Sequence, residues 1–346
     1  ADAGTVLLIS GGSMDCSRYH ILGIKPWFTF SCRQQKIKLT IDDKEYAFTS
    51  DPFEILRSVL NHFNPDKKTA INSTARVPIV SGLLGYLSYD LKDIIEKLPR
   101  TSIDSLNLPH ILLYCPSVLA VHDKQANRTE IFIPQRSGKF RDYHEKILSD
   151  FKCSLIETNQ KPGDYCGDAD GFNSNFQKDD YLQSIRRIIE YIKAGDIYQV
   201  NMSQRFEMDF SGDPFSLFNN LYKKNPAPFF AYINAGDHQI LSTSPERFLS
   251  KKGKRVETRP IKGTRPRGKT VSEDEKLKAE LLGSPKDDAE LSMIVDLLRN
   301  DIGKVCKAGS VKVTEHKRLE PYENVYHLVS IVEGVLDDNK DAVDLI

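Results

Sequence analysis

The segment His238-Gln239-Ile240-Leu241-Ser242-Thr243-Ser244-Pro245-Glu246-Arg247-Phe248-Leu249-Ser250-Lys251-Lys252-Gly253-Lys254-Arg255-Val256-Glu257-Thr258-Arg259 decides the fold class. Three short β-prone runs, His238 to Thr243, Phe248 to Lys251 and Arg255 to Arg259, follow one another through turn residues. The basic cluster Lys251-Lys252-Gly253-Lys254-Arg255 reads as a solvated hairpin turn. Strands strung together in this way look antiparallel. With helices interspersed on either side, they predict an α+β fold of largely antiparallel sheets with flanking helices, not a doubly wound α/β sheet.

Working outward, residues 1–153 form a strand-rich first region. Val6 to Ile9, Trp27 to Cys32, Ile37 to Ile41, Tyr114 to Val121 and Thr129 to Ile133 are β-prone runs bounded by turn residues. One helix interrupts them. Asp51 caps it, Pro52 suits its first turn, and Ile55, Leu56, Val59, Leu60 and Phe63 make its apolar stripe. A second helix is expected from about Lys139 to Phe151. Residues 154–176 turn polar and Gly-rich and read as a linker or long surface loop. In the region 177–346, Tyr181, Leu182, Ile185, Ile188, Ile189 and Ile192 fall at helical spacing before Gly195. Tyr198, Val200, Met202, Phe206, Met208 and Phe210 then alternate with mostly polar residues, the pattern of a half-buried strand. Asp213-Pro214 opens another helix, and Ser284-Pro285 opens a long one reaching about Lys304. Val311 to Glu315 and Val325 to Val335 read as closing strands.

The 346 residues are 40% hydrophobic and 28% charged, enough for a substantial core in one large domain or two ordinary ones. The 48 basic and 48 acidic residues cancel, which argues against a nucleic-acid binder, since that needs clustered positive charge. No apolar run approaches the roughly 20 residues of a membrane helix. Six cysteines (Cys16, Cys32, Cys115, Cys153, Cys166, Cys306) are widely spaced without a C-x-x-C pair, so neither a disulfide staple nor a zinc site is expected. A reducing, cytoplasmic setting follows.

Lys262, in Arg259-Pro260-Ile261-Lys262-Gly263-Thr264, is the first chemical candidate. A solvated lysine is unprotonated in about one molecule in 2,500 at pH 7, so a nucleophilic role requires desolvation or a cationic neighbour. Arg259, Arg265 and Arg267 could be that neighbour or could bind an anionic substrate; on spacing alone a solvated loop lysine is the simpler reading. Glu246 could be a general acid in an apolar pocket, or a surface partner of Arg247. Asp287 and Glu290 lie at i, i+3 and share a helix face, which suits Mg²⁺. Glu290 is expected beside Ile294, Leu297 and Leu298 on the buried side; helix-dipole stabilisation accounts well for Asp287. His327, alone in an apolar strand, reads equally as a hydrogen-bonded core residue.

Taken together, Asp196-Ile197-Tyr198-Gln199-Val200-Asn201, Ser244-Pro245-Glu246-Arg247-Phe248, Arg259-Pro260-Ile261-Lys262-Gly263-Thr264-Arg265, Met293-Ile294-Val295-Asp296-Leu297-Leu298-Arg299-Asn300-Asp301, Gly309-Ser310-Val311 and His327-Leu328-Val329-Ser330 occur in order. The chain resembles the chorismate-utilising enzymes, the family of anthranilate synthase component I. Arg18-Tyr19-His20-Ile21-Leu22-Gly23 and Gly82-Leu83-Leu84-Gly85-Tyr86-Leu87-Ser88-Tyr89-Asp90 extend the likeness, less specifically, into the first half. The resemblance implies that Lys262 separates activities: anthranilate synthases typically carry Ala there, whereas Lys marks the aminodeoxychorismate synthase component I branch of folate biosynthesis. Gln199 stands where isochorismate and salicylate synthases carry a water-activating lysine, a role glutamine cannot fill.

The resemblance also implies a scheme. Chorismate is bound with Mg²⁺, held by Glu290 and less strongly by Asp287. Lys262 attacks C2, Glu246 protonates the departing C4 hydroxyl, and ammonia takes C4 and expels the lysine. Gly263 and Thr264 are substrate-contacting positions, and His327 is a supporting active-site histidine. Ammonia is expected from a separate glutamine amidotransferase subunit, because no glutaminase cysteine motif occurs here. The family continues beyond Asp344-Leu345-Ile346 with a further glycine-rich segment and a second metal-binding glutamate, so the sequence is expected to be truncated at its C-terminus. Two alternatives accompany this reading: anthranilate synthase component I, and a catalytically incomplete subunit that only docks an amidotransferase.

Overall fold

A computed structural model of the chain describes residues 2–63, 77, 79–99, 103–133, 141–156, 163–168 and 170–346. Among the described residues, seven strands precede residue 133: β1 (Thr5–Ile9), β2 (Tyr19–Arg33), β3 (Lys36–Ile41), β4 (Lys44–Thr49), β5 (Leu84–Leu87), β6 (Ile111–Asp123) and β7 (Arg128–Phe132). Short strands β8 (Tyr165–Gly167), β9 (Asn173–Ser174), β10 (Phe206–Glu207) and β11 (Phe210–Gly212) follow. The rest are β12 (Phe229–Asn234), β13 (Gln239–Ser244), β14 (Arg247–Lys252), β15 (Arg255–Arg259), β16 (Ile261–Pro266), β17 (Lys312–Pro321) and β18 (Val325–Val335). The helices are α1 (Pro52–His62), α2 (Lys92–Ile95), α3 (Arg141–Ile156), α4 (Lys178–Ala194), α5 (Pro214–Lys224), α6 (Val271–Leu282) and α7 (Pro285–Gly303). Paired strands among the described residues are antiparallel, as the turn-linked runs imply. The expected α+β class therefore holds.

The chain divides into two compact units, Ala1–Thr158 with Asn220–Ile346, and Asn159–Asn219. This differs from the expected division into 1–153 and 177–346. The reason is strand exchange: β12 pairs with β1, from Thr5↔Asn234 to Ile9↔Phe230, and β13 extends the sheet beyond it. The N-terminal sheet is thus completed by strands from far downstream in the chain, in the sheet order β13-β12-β1-β2-β3-β4, with β6 pairing β2, β5 and β7. Its core gathers Phe28, Phe30, Ile37 and Ile111 against Leu56 and Val59 of α1. The α1 cap is as expected, Asp51 accepting from the amides of Phe53 and Glu54. The start expected at Lys139 lies outside the described residues, and the helix is described from Arg141 to Ile156, five residues past the expected end at Phe151.

The second sheet of this unit has the order β14-β15-β18-β16, with β17 on the other side of β18. The β14–β15 turn falls at the basic cluster, Lys252 facing Arg255. Helices α6 and α7 cover one face, where Leu281, Leu291 and Val295 pack with Val256, Leu328 and Val332. Chain passage from the first sheet to the second occurs at Pro245-Glu246, between the last residue of β13 and the first of β14.

In the smaller unit, α4 ends at Gly195 in the left-handed region (φ 81°), as the sequence predicts. The long strand expected over Tyr198 to Phe210 does not form; only Phe206–Glu207 and Phe210–Gly212 are extended pairs. Their partners are β9 and β8, which lie within the expected linker 154–176. Alternation assigns faces but does not supply a partner ladder, and Tyr198 is 89% exposed.

Candidate active site

The site centres on a defect in β16. Ile261 faces Val329 and Lys262 faces Leu328, and then the register slips so that Thr264 faces His327. Gly263 is the extra residue, at φ 83°. A Cβ there would lie 3.0 Å from Asp287 Cβ and 3.1 Å from Leu281 Cδ1, so the bulge needs glycine both for its backbone and for its space. Cross-strand partners share a face. The bulge therefore sends Lys262 to the helix-covered face with Leu328, and Thr264 to the opposite face with His327.

Lys262 Nζ is 3.9 Å from Glu290 Oε1, with the two side chains 26% and 31% exposed. The lysine sits in a strand and is largely covered, not on a solvated loop. Helix α7 presents the carboxylate. Ser284 caps it by accepting from the Asp287 amide at 3.3 Å. Its buried face is Asp287, Leu291, Val295 and Ile302, at helical spacing. The expected buried face containing Glu290 and Leu297 is corrected accordingly: Leu297 is 53% exposed. Asp287 can occupy the buried stripe because Arg265 Nη2 donates to its Oδ2 at 3.1 Å.

These two carboxylates differ as metal ligands. Mg²⁺ takes one or two protein carboxylates and keeps waters. Glu290 fits, being partly open beside the reactive-residue candidate. Asp287 does not, because Arg265 engages it and its side chain packs on Gly263. Among the described residues no group of three or more His, Cys, Asp or Glu is arranged to hold a metal.

On the other side of β16, His327 Nδ1 meets Thr264 Oγ1 at 2.9 Å. Burial pushes the His327 pKa below its ordinary value, opposed by a hydrogen bond with the Gly263 backbone and by Glu320, which favours the neutral ring. Glu246 Oε1 accepts from the Ile261 amide at 2.9 Å, which anchors this carboxylate one residue from Lys262. Its alternative partner Arg247 is engaged by Glu257 instead. Lys262 and Glu290 thus meet on the helix-covered face of β16, Asp287 packs at Gly263, Thr264 and His327 meet on the other face, and Glu246 holds the Ile261 amide. Gln199 belongs to the smaller unit, in an irregular segment.

The three arginines flanking Lys262 in sequence are each held by carboxylates. Arg259 bonds Glu257 at 2.6 Å and Asp15 at 2.7 Å, Arg265 bonds Glu280 at 2.9 Å, and Arg267 grips both oxygens of Asp274. Sequence reasoning missed Tyr322, whose buried hydroxyl approaches the backbone beside Glu246. Nothing local distinguishes it from other turn tyrosines.

Residues 22–346 match the family described as chorismate binding enzyme. The chain belongs to the chorismate binding enzyme family. Among family relatives, it is 40% identical over 271 residues to anthranilate synthase component 1 of Thermus thermophilus, covering 77% of this chain and 57% of that protein. It is 36% identical over 343 residues to aminodeoxychorismate synthase component 1 of Bacillus subtilis, covering 95% of this chain and 69% of that protein. The structure of anthranilate synthase component I from Streptococcus pneumoniae superposes with a TM-score of 0.79 at 25% identity, covering 96% of this chain and 72% of that one. The chain therefore spans between about half and three quarters of the length of these relatives. No helix among the described residues is long and apolar enough to cross a membrane.

Proposed function

We propose that this chain carries the chorismate site of an aminodeoxychorismate synthase component I, which replaces the C4 hydroxyl of chorismate with an amine. The observation that carries this reading is the largely covered Lys262 amine, 3.9 Å from Glu290 and one residue from the amide that holds Glu246. A small amine in such a position can act as a nucleophile, whereas alanine there could not.

In this reading, Lys262 in its neutral form bonds to C2 of the ring as the ring double bond shifts and the C4–O bond breaks. Glu246 delivers a proton to the leaving oxygen, which departs as water. Ammonia then bonds to C4, the double bond returns, and the C2–N bond to Lys262 breaks. Glu246, as its carboxylate, can take up the proton that ammonia sheds. Thr264 orients His327, whose neutral ring can accept or donate a hydrogen bond without adding a charge. Mg²⁺, held by Glu290, would neutralise the substrate's ring carboxylate. Ammonia would come from a glutamine amidotransferase partner or from ammonium in solution.

Anthranilate synthesis is the second reading, supported by the Thermus thermophilus relative at 40% identity. It places nitrogen on C2 and has no need of a lysine nucleophile. Incubation of the complete protein with chorismate, ammonium and Mg²⁺ separates the two by product. 4-Amino-4-deoxychorismate is expected; anthranilate as the sole product overturns the proposal.

A further inference from the structure

Tyr322 lies in the turn between β17 and β18, opposite the passage that carries Glu246. Its backbone is pinned twice: its amide donates to the Val325 carbonyl at 2.8 Å, and its carbonyl accepts from Arg267 Nη1 at 3.0 Å. The side chain is only 5% exposed. Its hydroxyl lies 3.1 Å from the Pro245 carbonyl and 3.4 Å from Glu320 Oε2. A phenol has one proton to donate, and the shorter contact belongs to Pro245. Burial raises the Tyr322 pKa, so the proton stays on the oxygen. The same ring meets His327 edge-on, with centroids 4.9 Å apart and planes at 81°.

We propose that Tyr322 is a positioning residue that fixes both Glu246 and His327 for the reaction. It acts on Glu246 through the preceding carbonyl and on His327 through the ring edge. Its hydroxyl and the Ile261 amide hold the glutamate from two sides, one by the backbone and one by the carboxylate. This inference rests on the reading of Glu246 as the proton donor.

The test is a double-mutant cycle in the complete protein with ammonium as nitrogen source, reading kcat and KM for chorismate. Tyr322→Phe keeps the ring and removes the hydroxyl. It should lower kcat roughly tenfold, the size of one net hydrogen bond, with KM unchanged. In a Glu246→Gln background the same change should have no further effect on kcat, because the residue through which it acts is gone. Additive losses overturn the proposal while leaving Glu246 as the acid, and so does a change confined to KM. Full turnover by Glu246→Gln alone overturns the acid assignment and the proposal with it. Should Tyr322→Phe be too unstable to assay, the pKa of His327 in the wild type, followed by NMR with and without a bound chorismate analogue, takes its place. A ring that stays neutral and immobile in both states supports the positioning role; one that reorients on binding overturns it.

Discussion

Lys262 Nζ faces Glu290 Oε1 across 3.9 Å, a contact that joins strand β16 to helix α7. The pair has two possible meanings, a counter-charge or a nucleophile beside a metal ligand. Lys262→Arg separates them. Arginine keeps the positive charge but stays protonated in proteins and cannot act as a nucleophile. Both Lys262→Arg and Lys262→Ala should lose 4-amination by on the order of 100-fold or more. Near-normal turnover by the arginine variant, measured by product chromatography, would reduce the lysine to a charge.

Gly263→Ala should destabilise the protein by about 1–3 kcal/mol, since it combines a left-handed backbone with an added contact. The new Cβ would press on Asp287 and Leu281 at 3.0 and 3.1 Å. Relief of that contact shifts either β16 or α7, and both carry site residues. Urea unfolding gives the stability change. An alanine variant as stable and as active as the wild type would show that the bulge is not required.

His20 offers a pH test away from the site. Its Nδ1 accepts a hydrogen bond from the Ser10 amide at 3.1 Å, which needs the neutral ring. Burial, with Lys124 and His122 adding to it, pushes its pKa down to about 4. An unfolded histidine takes its proton near 6.5, so the unfolded state binds more protons between about 6.5 and 4. The stability due to this site is complete above that window and is lost as pH falls through it. His20→Gln should flatten the decline of the urea midpoint between pH 7 and pH 4.5. Asp15 and Asp123, both held near 2 by arginine partners, lose their contributions in a lower window. An unchanged slope in the glutamine variant would remove His20 from the acid response.

Much of this molecule could be read from local chemistry. Asp51 and Ser284 mark their helix starts because a capping side chain acts within three residues. Glu246 reaches the Ile261 amide because a short turn joins β14 to β15 and Pro260 alone separates β15 from β16. What could not be read depends on distant partners. Val6 gives no sign that Ile233 is its neighbour, so the completion of the first sheet by β12 was invisible. Tyr198 alternates as a strand residue should but has no ladder to join. Asp287 reads from sequence as a metal ligand or a helix-dipole acid, whereas its burial depends on Arg265 of β16, 22 positions earlier.

The same distinction between Asp287 and Glu290 yields the last prediction. Both acids lie within one turn of α7, and residue type alone makes them equivalent as Mg²⁺ ligands. Their surroundings do not. Asp287 has a 12% exposed side chain and pairs with Arg265, which is 24% exposed. Removing its charge leaves a mostly covered guanidinium short of a partner, at a cost of about 1–3 kcal/mol. Asp287→Asn should therefore lower the melting temperature whether or not Mg²⁺ is present. Glu290 is more open, and its contact with Lys262 at 3.9 Å is a weak ion pair whose loss costs little. If it binds Mg²⁺, the metal stabilises the native state by mass action, and the gain grows with concentration. Glu290→Gln should then melt near the wild-type temperature in EDTA and fail to rise when Mg²⁺ is added, while Asp287→Asn still rises. Melting curves of the three proteins across a Mg²⁺ series decide it. A glutamine variant that responds like the wild type would exclude Glu290 as the ligand, and loss of response in the asparagine variant alone would move the metal to Asp287.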